Sequence, residues 1–120
     1  MTPPVHSIAE FADLILDALD IAGARRIGEI GTEYGGLSHR LAAYCEAREG
    51  MLTSIDPDPD RAVLRRVRSQ RHVRHLVATS LDAMPGCHGI DAWVIDGDHN
   101  YYTVLHELRI ADSLARGEGR

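Results

Sequence analysis

The 120-residue chain contains no lysine; its thirteen basic residues are all arginine. The bias reads as coding preference, yet it excludes one chemistry, because a phosphate-cradling P-loop requires its lysine. Cysteine is scarce as well. Cys45 and Cys87 make no disulfide framework, and their spacing matches no zinc motif. No apolar run approaches the length of a membrane span, and "MTPPVHS" lacks the basic-then-apolar order of a secretion signal. The expected setting is cytoplasmic and reducing. A net charge of -5 argues against a general nucleic-acid binder.

What remains suffices for one domain over residues 1–120, burying roughly two-thirds of its unfolded surface. "SIAEFADLILDALDIAG" pairs Ser7 with Glu10 at capping-box spacing and repeats apolar residues at Phe11, Leu14, Ile15, Ala18 and Leu19. That pattern predicts a helix stopped by Gly23. "RRIGEIG" predicts a strand. "GGLSHRLAAYCEARE" predicts a helix with Leu37, Leu41, Tyr44 and Cys45 on one face. "MLTSID", "HVRHLVATS" and "IDAWVID" predict three further strands, the last apolar on both faces at Ile90, Trp93, Val94 and Ile95. "DPDRAVLRRVRSQ" predicts a helix with Asp58 or Asp60 near its positive end, and "LDAMPGCHG" a loop. A final helix carries Tyr101, Val104, Leu105, Leu108, Ala111 and Ala115 on one stripe.

Strands alternating with helices mean βαβ units and a parallel sheet. Right-handed crossovers wind that sheet into a Rossmann-like, doubly wound α/β fold of about four strands. Ligands of such sheets bind beyond the carboxyl ends of the strands, where strand order reverses. Glu29 to Gly36, Asp56, Ser80 to Asp82 and Asp96 to His99 all fall at those ends. Four strand ends converge on one rim.

Each segment has its own chemistry. Gly31, Gly35 and Gly36 in "EIGTEYGG" permit close backbone approach to a ligand, or simply a tight turn. Their spacing is not the dinucleotide fingerprint, which disfavours a nicotinamide-dependent oxidoreductase. Asp56, 25 residues after Gly31, suits two ribose hydroxyls, although a helix N-cap or an Asp-Pro turn would also account for it. Asp98 or Asn100 suits a helix cap. His72 and His75 point to opposite faces of a strand and cannot chelate together. The arginines from Arg61 to Arg74 read as a solvated helix face. Cys87-His88 lacks a third group to orient it as a nucleophile.

"EIGTEYGGLS", "TSIDPDP", "TSLDAMP" and "VIDGDHNY", in order over residues 25 to 112, resemble the successive motifs of class I S-adenosylmethionine-dependent methyltransferases. The subgroup with an Asp-Gly-x-His motif, which includes macrolide sugar O-methyltransferases, is the most similar. The resemblance implies O-methyl transfer to a small-molecule hydroxyl with S-adenosylmethionine as cofactor. It implies that Glu29, Gly31, Gly35 and Ser38 lie by the methionine part, that Asp56 holds the ribose, and that Ser80 and Leu81 flank the adenine. It implies Asp96 as a magnesium ligand in metal-dependent members and His99 as the general base.

The pattern departs from the family at "LARGEGR", where members turn into a fifth strand and later carry two more acidic metal ligands. A truncated core leaves the fourth strand with an open edge. The chain is therefore expected to dimerise, to swap elements, or to belong to a longer protein. The functional alternative is a non-catalytic module of the same fold that serves in interaction or regulation.

Overall fold

The computed structural model describes residues 12–31, 36–95 and 101–117. Four strands, β1 Arg26–Ile30, β2 Met51–Ile55, β3 Val73–Leu76 and β4 Ala92–Ile95, form one sheet in the order β3-β2-β1-β4. Every pairing is parallel, with Ile27 opposite both Leu52 and Ala92, and Leu52 opposite Val73. The chain walks outward from β1 to β3 and then returns to place β4 on the other side of β1. Strand order reverses there, between β1 and β4.

Alternation along each strand sorts residues onto two faces. Ile27, Leu52, Ala92 and Val94 pack with helices α1 (Ala12–Ala22) and α2 (Gly36–Ala47), which contribute Leu19, Leu37, Leu41 and Cys45. Ile30, Ile55, Trp93 and Ile95 pack on the other side with Met84, Cys87 and, from helix α5 (Tyr101–Ala115), Ile110 and Ala111. β4 thus feeds both cores, as its two apolar faces predict. Gly28 is the close-approach position of the sheet. A Cβ there would sit 2.3 Å from Cε3 of Trp93, so the indole lies across a bare backbone.

Helix α2 buries the face expected of it, and Gly23 ends α1 with φ at 68°. Arg48 ties these two helices together. Its guanidinium lies 3.7 Å from the Tyr44 ring centroid and bonds Asp20 at 2.8 Å, while Tyr44 Oη donates to Ala24 O at 2.7 Å. Helix α3 (Arg61–Arg68) begins at Asp60, whose Oδ1 accepts from the amides of Ala62 and Val63. Asp60 rather than Asp58 is therefore the cap.

Three expectations need correction. On α1 the inward residues are Ala12, Ile15, Leu16 and Leu19, whereas Leu14 is 69% and Ile21 87% exposed. The α2 surface selects that face from a helix apolar on several sides. The segment expected as a loop contains helix α4 (Ser80–Ala83) and a 3-10 turn, Met84–Gly86. Thr79 starts α4, its Oγ1 accepting from Asp82 N at 3.3 Å. On α5, Glu107 is buried and Leu108 is 54% exposed, so the stripe is rotated from the expected one. The expected cap at Ser7 and Glu10 lies outside the described residues.

Asp91 fastens the foot of the sheet. Its Oδ2 accepts from the amides of Arg25 and Arg26, both at 2.9 Å, and its own amide donates to Arg26 O at 2.7 Å. The β1–β4 junction is pinned at the end opposite the rim. Among the described residues β3 and β4 are the sheet edges, and no strand pairs the outer side of β4.

Candidate functional site

Glu29 is the penultimate residue of β1 and is 1% exposed. A buried carboxylate needs donors, and two neighbours supply them. Ser54 faces it in the β1–β2 register and donates to Oε1 at 2.9 Å. Ser38, in the first turn of α2, donates to the same oxygen at 2.6 Å, within the range of a charge-assisted bond. Glu29 therefore sits beneath the rim and couples two strands to the start of α2. Ser54 was missed in the sequence, although its place two residues before Asp56 carried the signal.

Gly31 leaves β1 with φ at 90°, a backbone that a side chain would strain, and its amide donates to Ile55 O at 2.9 Å. Gly31 thus closes the β1–β2 ladder at its carboxyl end. Asp56 follows directly there. Its amide donates to Leu76 O at 3.2 Å, and its Oδ1 accepts from Asp58 N at 2.9 Å, an Asx turn. The turn and ligand readings of Asp56 are compatible, since the turn itself fixes the carboxylate at the rim. Beyond β3, Ser80 is buried at the start of α4, while Leu81 is 39% and Val77 49% exposed. These two offer apolar surface near the β3 end.

The structure brings Glu29, Gly31, Ser38 and Asp56 together at the carboxyl ends of β1 and β2, with Ser80 and Leu81 following β3. Gly35, Asp96 and His99 lie outside the described residues. No group of three or more potential metal-ligating residues occurs among the described ones. Magnesium therefore has no donor set here against which to be tested.

His75 is buried on β3 opposite Ser54. Burial pushes its proton affinity down, Asp56 draws it up and Arg68 opposes that. The cysteines are poor nucleophiles. Burial raises Cys45 to about 11 and also raises Cys87, whose thiol donates to Ala83 O at 3.3 Å.

The fold and its polar rim define a Rossmann-like α/β domain. The family model described as "Methyltransferase domain" matches residues 29–119, more than half of the chain, and the chain belongs to that family. Among solved structures it is similar to cofactor-bound Rv0187 from MTB, at 25% identity and a TM-score of 0.66 over 90% of this chain and 53% of that one. It is also similar to "a putative caffeoyl-CoA O-methyltransferase from Staphylococcus aureus". Identity there is 19% and the TM-score 0.68, over 93% of this chain and 54% of that one, a likeness of fold. The chain spans about half the length of these structures. No curated protein matches it. No helix among the described residues is long and apolar enough to cross a membrane.

Proposed function

We propose that this chain is the cofactor-binding part of an S-adenosylmethionine-dependent methyltransferase that acts on a small-molecule hydroxyl. The observation that carries the reading is the pair of carboxylates at adjacent strand ends. Glu29 is held at the end of β1 by Ser38 and Ser54, and Asp56 is fixed at the rim by its Asx turn. The positive φ of Gly31 fits backbone approach to the methionine part, and Ser80 and Leu81 fit the adenine.

Bound at this rim, the cofactor would supply an activated methyl group for the acceptor oxygen. Asp56 would accept hydrogen bonds from the ribose hydroxyls. Glu29 holds the β1 end and the start of α2 in register. His99 is the proposed base for the hydroxyl proton, and Asp96 the proposed contact to magnesium in a metal-dependent form. A second copy of the chain, or further protein beyond the β4 edge, would complete the acceptor side.

Calorimetric titration with S-adenosylmethionine, with NAD as control, tests the reading. Saturable binding of the first alone is expected, and Asp56→Ala should weaken it by about 1.5–3 kcal/mol through loss of a hydrogen bond to a charged group. Equal affinity in the variant would remove Asp56 from the site. A preference for NAD would remove the cofactor assignment.

A further inference from the structure

The arginines are unevenly spread along the chain. Six of them fall between Arg61 and Arg74, a stretch with no acidic residue in a chain that is acidic as a whole. Arg61, Arg65, Arg66 and Arg68 belong to α3 and are exposed, and none pairs with a carboxylate among the described residues. At about 100° per residue, Arg61, Arg65 and Arg68 form one line on the outer side of the helix, opposite buried Val63.

Helix α1 has the reverse character, with three aspartates and no cation. Asp13 and Asp20 already pair with Arg40 and Arg48, whereas Asp17 has no cation partner among the described residues. Asp17 stands on the outer crest of α1 between Leu14 and Ile21, both largely bare to solvent. Beside it, an open groove of about 420 Å³ runs between α1 and α2, floored by Leu16, Ala43 and Tyr44. The two arginines in its walls are neutralised by Asp13 and Asp20, so Asp17 is the charge left over.

Both features lie on one surface. Helices α1 and α2 cover the same face of the sheet. Successive right-handed crossovers from β1 to β2 to β3 put α3 on that face too, beside α2. The layer has an acidic, apolar-crested edge and an arginine edge. Such a pattern is self-complementary: a two-fold axis brings the arginine edge of one copy to the acidic edge of the other, and the reverse contact forms at the same time.

We propose that the α1–α2–α3 layer is the docking surface for a second copy of this chain, the α3 arginines of each copy seated in the α1–α2 groove of the other. A ridge of side chains on one helix packs into a groove in this way. Arg65 meets Asp17, and the arginine stems cover Leu14 and Ile21 while their charged heads keep to carboxylates and water. A polyanion such as a nucleic acid would answer the arginines alone, leave Leu14, Ile21 and the groove uncovered, and meet an opposing net charge. The contact is separate from strand pairing at the β4 edge and independent of the cofactor reading.

Sedimentation equilibrium of the whole chain, from about 1 to about 200 µM, tests the proposal. A monomer–dimer equilibrium is expected, with Kd rising about ten-fold or more in 1 M salt, where charges are screened. Asp17→Arg and Arg65→Glu are exchanges at exposed positions, and circular dichroism confirms that each variant folds. Each should raise Kd about ten-fold or more, because it sets like charges face to face. The variant with both exchanges restores the pair with its signs reversed and should regain most of the wild-type affinity. A wild-type chain that stays monomeric throughout overturns the proposal. A dimer indifferent to both exchanges overturns it in favour of the β4 edge. A double variant no tighter than the single ones means that Asp17 and Arg65 do not meet, and overturns the docking. Binding of a DNA duplex that Arg65→Glu abolishes, by a chain that does not self-associate, overturns it in favour of a polyanion.

Discussion

Removing the two hydroxyls that hold Glu29 should cost stability in a way that identifies the carboxylate as charged. Ser38 is 1% exposed and Ser54 is fully buried, so water cannot replace either donor. A hydrogen bond to a charged group contributes about 1.5–3 kcal/mol. The Ser38 bond, at 2.6 Å, belongs toward the upper end and the Ser54 bond, at 2.9 Å, toward the lower. Ser38→Ala is therefore expected to lose about 2–3 kcal/mol and Ser54→Ala about 1.5–2 kcal/mol. The double variant should lose less than the sum, by about 1 kcal/mol, because both hydroxyls serve the same Oε1 and losing either already lets that oxygen and its surroundings relax. Urea unfolding at neutral pH measures all four corners of the cycle, and Ser→Ala leaves too small a void to confuse it. Losses below about 0.5 kcal/mol for both single variants, the range of ordinary surface changes, would refute the idea that these hydroxyls hold Glu29.

Two further outcomes follow from packing and burial. Gly28→Ala places a methyl group within 2.3 Å of the Trp93 ring, so it should cost about 1–3 kcal/mol and shift the indole fluorescence. An unchanged spectrum and midpoint would mean that the indole does not cross Gly28. Stability should also fall at alkaline pH because of Cys45. Its thiol titrates near 9 when unfolded and near 11 when folded, so the native state holds the extra proton between those values. The stability it contributes is complete below pH 9 and lost as pH rises toward 11, and Cys45→Ala should flatten that part of the urea-midpoint profile.

β1 and β2 were legible because each is a short run closed by Gly31 or by Asp56-Pro57, and parallel order followed from the helices between the strands. β3 has no such stop, and it ends at Leu76, short of the expected Ser80. The rim was legible for the same reason, since Gly31 and Asp56 stand just beyond strand ends. Faces were harder. Helix α1 has Leu14, Ile15, Leu16, Leu19 and Ile21 in a single stretch, and only contact with α2 decides that Leu16 turns inward and Leu14 outward. Helix α4 is too short for periodicity to reveal, although Thr79 and Asp82 are spaced as a helix start. The polar row across β1, β2 and β3 depends on register. No local pattern aligns Glu29, Ser54 and His75, which come from three separate strands and meet only once the sheet has formed.

The parallel topology also sets the order in which the site can be built. A sheet without hairpins closes every junction through a long loop, and the loops here are unequal. Glu29 and Ser54 are 25 residues apart, whereas the clamp from Arg26 to Asp91 spans 65. Chain-closure entropy makes the longer junction costlier by about 0.8 kcal/mol, before any difference in packing. The β1–β2 half, with Glu29 and Asp56, therefore has the cheaper junction to close, and β4 the costlier one. Asp91 then acts as a latch that catches an arriving strand, collecting two amides at once from the foot of β1.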